Sequence, residues 1–328
     1  MTIIVTKPEL NIRDELSRLD KPSGIAGEAL LRAETVRTQQ ELLGVGRRNL
    51  LINGDMKISQ RGNYTSLTSA LAGGYYLDRW KTYQSNVNIQ VIHNLNQTLP
   101  DGSKSNTLKY VTTGSASTCY FGCQQILETA LVPGRTYTMS AWVRSNNPNM
   151  NLFANAGDYR AFSSGSGEWE YLSVTFISTT GNSFGFINYV GSNGTAASTG
   201  DYVEFTQIQL ELGSVATPFE YRSYGEELAL CQRYYQRWSG FDTAVMARYS
   251  ANIGTANMML QYWVPMRITP TCGHGGTFRT TPGFVAPGVI SGFGAHIRVV
   301  SSVSDVGVNE IRYLESSPDG YIYANAEL

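Results

Sequence analysis

Charge is scarce in this sequence. Asp, Glu, Lys and Arg make up 16% of 328 residues and nearly cancel, to a net −1, where globular chains usually carry about 25%. So weak a field attracts neither a phosphate backbone nor an anionic bilayer, which excludes nucleic acid and lipid surfaces as expected partners. No apolar run approaches the ~20 residues of a membrane-spanning helix. Near the N-terminus Ile3, Ile4 and Val5 give way at once to Lys7, Pro8 and Glu9, so no secretory leader is expected.

Metal and nucleophile signatures are missing as well. The four cysteines are Cys119, Cys123, Cys231 and Cys272, with no C-x-x-C pair. They read as buried free thiols of a protein folded in a reducing compartment, not as a zinc ribbon. Cys272 and His274 lie two apart but lack two further ligands nearby. None of the three histidines, His93, His274 and His296, sits beside a G-x-S-x-G elbow. No phosphate-binding loop or dinucleotide fingerprint appears, so no cofactor is expected.

What fills the space is Gly (33 residues), Tyr (20) and many Ser, Thr and Asn. That mixture makes short strands joined by tight turns. Residues 135–144 alternate cleanly, with Tyr137, Met139, Ala141 and Val143 on one face and Thr136, Thr138, Ser140, Trp142 and Arg144 on the other. Residues 169–177 and 202–212 alternate too; in the latter the apolar parity shifts, which predicts a bulge near Thr206 and Gln207. The expected architecture is mainly β, in three parts. Residues 1–47 form a short helical segment, 48–224 a jelly-roll β-sandwich, and 225–328 a smaller β domain entered through a helix or strand at 226–237.

The N-terminal segment differs sharply in composition. Ala29, Ala33, Val36, Gln40 and Leu43 recur at four- and three-residue spacings, a short heptad seam. Two heptads do not stabilise a free helix, so this seam needs sister chains, a protein to dock into, or its own β domain. Attachment and trimerisation is the expected role.

Several stretches carry a resemblance. RNLLINGDM (48–56), ISQRG (58–62) and LDRW (77–80), then QLELG (209–213), ATPFE (216–220), Arg222 and ELALCQRYY (227–235), resemble a β-sandwich domain of phage tail fibres. That domain is related to carbohydrate-binding-module jelly rolls. VPMR (264–267) with Thr269 and Pro270 is similar to the start of a following C-terminal β module, and 12–44 to a lead segment of cyanophage tail fibres. The resemblance implies a virion tail protein made in the host cytoplasm. It implies a homotrimer anchored by its N-terminus to baseplate or tail proteins, binding host surface polysaccharide through its β domains. It also leaves room for a structural calcium, with Asp55 or Asp201 contributing. A purely architectural tail protein is the first alternative.

Within the motifs, Trp80 reads as a core anchor, Phe219 as buried, and Arg222 as a partner of Glu220 or Glu211. Stacking sugars need aromatic faces ringed by polar groups. Trp142 with Arg144 is the first candidate, and Tyr159, Arg160 and Trp169 follow. Tyr313, Tyr321 and Tyr323 with Asp319 offer an alternative platform. A depolymerase, the second alternative, needs two carboxylates ~5–10 Å apart. Asp158, Glu168 and Glu170 are its nearest candidates, and no catalytic residue is assigned.

Overall fold

Alternation at 135–144 sorts side chains as expected. In a computed structural model, Tyr137, Met139, Ala141 and Val143 are all buried in the core, and Trp142 and Arg144 point the other way, half-buried. The structure describes residues 48–154, 159–179, 187–239, 247–248, 255–280, 289–293, 296–302, 311–312, 314–316 and 319–327. The seam residues Ala29, Ala33, Val36, Gln40 and Leu43, together with Asp158 and Tyr313, lie outside the described residues.

The first twelve strands build the sandwich. They are β1 (Thr68–Ala70), β2 (Tyr75–Leu77), β3 (Trp80–Ser85), β4 (Ile89–Thr98), β5 (Lys104–Thr112) and β6 (Ala116–Ile126). Then come β7 (Thr136–Ser145), β8 (Asn151–Ala154), β9 (Tyr159–Phe162), β10 (Glu170–Ile177), β11 (Ile187–Ala197) and β12 (Tyr202–Leu212). Two six-stranded antiparallel sheets result, β1-β4-β5-β12-β7-β10 and β2-β3-β6-β11-β8-β9. Their inner faces share one core: Leu108, Tyr110, Met139, Val143 and Phe205 from the first, Trp80, Phe121 and Leu152 from the second. Cys119 and Cys123 are buried within it, and neither forms a disulfide.

The bulge lies where the parity shift placed it. The β12–β7 register slips between Thr206 and Gln209, and Gln207 takes φ +50°. The slip frees Ile208 N–H to donate to the Gly54 carbonyl at 3.0 Å. Beyond β12, residues 213–222 do not extend the strand. They fold back over the outward face of the first sheet as a strap. Thr217 N–H donates to Glu211 Oε1 (2.9 Å), and Glu220 N–H donates to Gln209 Oε1 (2.8 Å). Glu211 is thus occupied by the strap. Arg222 pairs instead with Glu227 at 3.2 Å and Glu220 at 3.6 Å, because it lies under the following helix. Phe219 is half-buried against Tyr221.

That helix, α1 (Tyr224–Gln232), is capped by Ser223, whose side chain accepts from Glu226 N–H. It ends before 237, and a strand follows directly. The remaining strands are β13 (Tyr235–Ser239), β14 (Ala247–Arg248), β15 (Thr255–Gln261), β16 (Thr271–Gly275) and β17 (Phe278–Thr280). They close with β18 (Val289–Phe293), β19 (His296–Ser302), β20 (Ile311–Arg312), β21 (Leu314–Ser316) and β22 (Tyr321–Asn325). They form four small antiparallel sheets, among them β13-β22-β16, around a second core with Trp238, Tyr262, Ile297 and Ile322.

Gly273, His274 and Gly275 lie in β16, at the edge of its sheet. Its glycines make room for rings. A Cβ on Gly273 would sit 2.5 Å from the Tyr323 hydroxyl, and one on Gly275 2.5 Å from that of Tyr321. Both tyrosines belong to β22, the centre of its sheet.

Residues 49–328 cluster as one compact unit, and buried polar groups join its two cores. Arg79 (φ +72°) is 2% exposed and its guanidinium stacks 3.6 Å from the Tyr234 ring centroid. Nη1 donates to Glu327 and Nη2 to the Ile126 carbonyl at 2.7 Å. Asp78 is fully buried and accepts from Gln60 N–H (2.6 Å) and Nε2 (2.8 Å). Burial pushes the Asp78 carboxyl up to about 6, against the pull of Arg61. Trp80, fully buried, donates from Nε1 to the Asn53 carbonyl at 2.7 Å.

Two predictions follow from this packing. A Cβ at Gly54 would sit 2.3 Å from the Ile208 carbonyl oxygen, so Gly54→Ala should cost about 2 kcal/mol in urea unfolding. Gly225→Ala, with open space around it in α1, should be neutral or stabilise by about 0.5 kcal/mol. Because folding raises the Asp78 pKa, the folded state binds its proton more tightly than the unfolded chain. Its contribution to stability therefore declines as pH rises from about 4 to about 6, by on the order of 3 kcal/mol. Thermal melts across that window should show this decline in the parent, and Asp78→Asn should flatten it.

Candidate functional site

Register fixes two rows of side chains on the outward face of the first sheet. One row runs Lys109, Glu204, Arg144 across β5, β12 and β7. The next runs Thr206, Trp142, Tyr171 across β12, β7 and β10, with Asn94 and Thr107 opposite each other on β4 and β5.

Glu204 organises the first row. It is completely buried, yet it accepts from Asn94 Nδ2 (2.9 Å), Thr107 Oγ1, and Arg144 Nε (2.9 Å) and Nη2 (2.8 Å). A carboxylate so enclosed is tolerable only with this full set of donors. Arg144 is thereby neutralised, and its guanidinium lies 4.8 Å from the Trp169 ring centroid. Lys109 Nζ sits 3.8 Å over the Tyr202 ring; burial lowers its pKa, and Glu204 opposes that shift.

The second row supplies the aromatic surface. Trp142 and Tyr171 meet edge to face at 5.3 Å and 61°. Trp142 is half-buried, and Tyr171 is 42% exposed. Thr107 and Thr206 form a floor with no exposed surface between taller neighbours. The strap covers the adjoining end of the face, where Gln207 Nε2 donates to Tyr221 OH and Tyr171 OH reaches the Thr217 carbonyl at 3.5 Å.

The structure brings together three of the residues singled out from sequence, Trp142, Arg144 and Trp169. Tyr159 is separate. It lies on β9 of the second sheet, its ring 6.1 Å from that of the core residue Phe176. Arg160, its neighbour, lies over Phe153. Glu204, Tyr171, Lys109 and Asn94 were missed. Tyr171 shares the parity of Trp169 in an alternating stretch, and Glu204 is an acid between Val203 and Phe205, so both carried a signal.

The other candidates are committed elsewhere. Glu170 accepts from Ser164 N–H and Oγ and from Ser163 Oγ, and Glu168 precedes the strand, so no acid–base pair spans this face. His93 is buried and donates from Nε2 to the Met56 carbonyl at 2.8 Å; burial lowers its pKa. Asp78, with its raised pKa, is sealed with no exposed surface. Among the described residues no three His, Cys, Asp or Glu side chains converge. Asp55 holds the Lys57 ammonium at 2.9 Å, and Asp201 accepts from Asn147 Nδ2 and Ser198 N–H. Neither donor set fits calcium, which takes six to eight oxygens.

Removing the Glu204 carboxylate would strand Arg144 and the Asn94 and Thr107 donors. Glu204→Ala should cost about 3 kcal/mol in chemical denaturation, and Glu204→Gln, which keeps the shape, clearly less.

No family model and no curated protein matches this chain. Among solved structures it is similar to a Stig cyclase from Fischerella sp. TAU, at 16% identity over 50% of this chain and 95% of that one, TM-score 0.34. It is also similar to a protein from Bacteroides thetaiotaomicron described as sugar-binding (12%, 51% and 100%, TM-score 0.33). A third similar structure is TmCBM61, a carbohydrate-binding module in complex with β-1,4-galactotriose (15%, 51% and 99%, TM-score 0.32). At TM-scores this low the likenesses carry no assignment, and fold and site stand on the geometry above.

Proposed function

We propose that this chain is a non-enzymatic, glycan-binding subunit of a phage tail fibre. The outward face of the first sheet carries the reading. Its Trp142–Tyr171 pair offers aromatic surface beside amide, hydroxyl and guanidinium groups that are already oriented. Sugars bind such surfaces through C–H faces on rings and hydroxyls on a polar rim. The acids on the face are already engaged, Glu204 by its enclosing donors and Glu211 by the strap.

The tail-fibre assignment is supported by the motif resemblance over 48–235. The residues bearing it are those that hold the fold: Asn53, Asp78, Arg79 and Trp80 at the junction, Arg222 and Glu227 under α1. In this reading residues 1–47 attach the chain to the tail and gather three copies. Three faces presented together raise weak single-site affinity to firm attachment.

Labelled protein should bind host cells and their surface polysaccharide. Trp142→Ala with Tyr171→Ala should lower that binding about tenfold or more while melting remains cooperative. Unchanged binding by the folded double variant would refute the site. A parent protein that oligomerises but ignores host cells would leave an architectural role instead.

A further inference from the structure

A second aromatic surface lies away from the first sheet. Among the described residues β13 is an edge strand, paired with β22 alone. Gln60 Nε2 donates to the Tyr235 carbonyl at 2.9 Å from the open side. Antiparallel alternation then turns the backbone groups of Arg237 and Ser239 to the same open side. A shallow, open cleft of about 400 Å3 lies there, lined among the described residues by Gln60, Leu228, Gln232, Arg237, Ser239 and Trp263.

Its lining is held in place from behind. Trp263 is 55% exposed, yet its ring rests 5.1 Å from that of buried Trp238, and its backbone N–H donates to Gln236 Oε1 at 2.9 Å. Gln60 is pinned through Nε2 to Asp78 and Tyr235. Arg237 donates from Nη1 to the Arg61 carbonyl at 2.5 Å, and its guanidinium lies 3.8 Å from the Tyr321 ring centroid. Its buried Nε has no partner among the described residues. Preorganised groups of this kind cost little ordering on binding.

We infer that this cleft is a second glycan site, and that it takes a saccharide bearing a carboxylate. A pyranose face stacks on Trp263, Gln60 and Gln232 meet hydroxyls, and Arg237 meets the acid. Electrostatics separate it from the sheet face. Arg144 is neutralised by Glu204, whereas Arg237 is the one charged group among the described residues that line the cleft, and among them it forms no ion pair. An added peptide strand fits less well. The edge offers it two residues, and Leu228 is the one aliphatic side chain of the lining, where strand addition needs alternating apolar pockets.

The test uses the full chain with short oligomers of galacturonate, glucuronate and mannuronate, each beside its neutral counterpart. Binding is read by tryptophan fluorescence and calorimetry. At least one uronate should bind more tightly than its neutral partner and weaken with salt. Trp263→Ala, a change at an exposed ring, should lower that affinity about tenfold. Trp142→Ala with Tyr171→Ala should leave it unchanged, which separates this site from the sheet face. Binding of no uronate, equal binding by Trp263→Ala, or preference for extended peptides would overturn the inference.

Discussion

The buried guanidinium of Arg79 is the constraint on which the arrangement turns. A cation with 2% exposure is held only if its charge is answered. Glu327 answers in charge, the Ile126 carbonyl by hydrogen bond, and the Tyr234 ring by its π face. These partners come from the second sheet, the residues after α1, and the end of the chain. Closing this shell therefore fixes the sandwich and the C-terminal strands as one body. Asn53 reinforces it: its Nδ2 donates to the Ile58 and Asp78 carbonyls, and its N–H donates to Glu227 Oε1. The cleft beside Trp263 exists only because of that closure, since Gln60 comes from one side of the junction and Trp263 from the other.

The bulge plays a comparable part for the sheet face. An unbroken β12 would carry its ladder straight past Gly54. By turning Gln207 to φ +50° the chain lets Ile208 pair with Gly54, and Asn49 Nδ2 donates to the Ile208 carbonyl at 3.0 Å. The residues before β1 are thereby tied to the last strand of the sandwich. The strap then spends its polar groups on Gln209 and Glu211, on the near side of the bulge. Glu204 and Thr206, on the far side, stay under the Trp142–Tyr171 row. One irregular residue thus divides the face into a covered half and a presented half.

Local pattern made much of this legible. Two-residue alternation placed the faces of β7, the parity shift placed the bulge, and the Leu-Asp-Arg-Trp motif placed Trp80 in the core. What failed depends on partners distant in sequence. Tyr159 and Trp169 look alike in isolation, but sheet membership separates them, and it is set by pairing of β9 with β8. At Gly273 and Gly275 the absent Cβ admits the rings of Tyr323 and Tyr321, from a strand some fifty residues away. The Arg79–Glu327 pair spans 248 positions, and no local rule points to it.

The two aromatic surfaces differ in how the fold treats their arginines. On the sheet face the guanidinium is consumed internally: Glu204 sacrifices its own hydration to hold Arg144 in a fixed plane, and the remaining cation, Lys109, lies over the Tyr202 ring. At the junction Arg237 is held by a carbonyl and a ring, neither of which cancels its charge. The first arrangement rewards shape and hydroxyl geometry, and long-range attraction contributes little there. The second leaves a guanidinium whose charge no acid among the described residues cancels, beside an exposed ring.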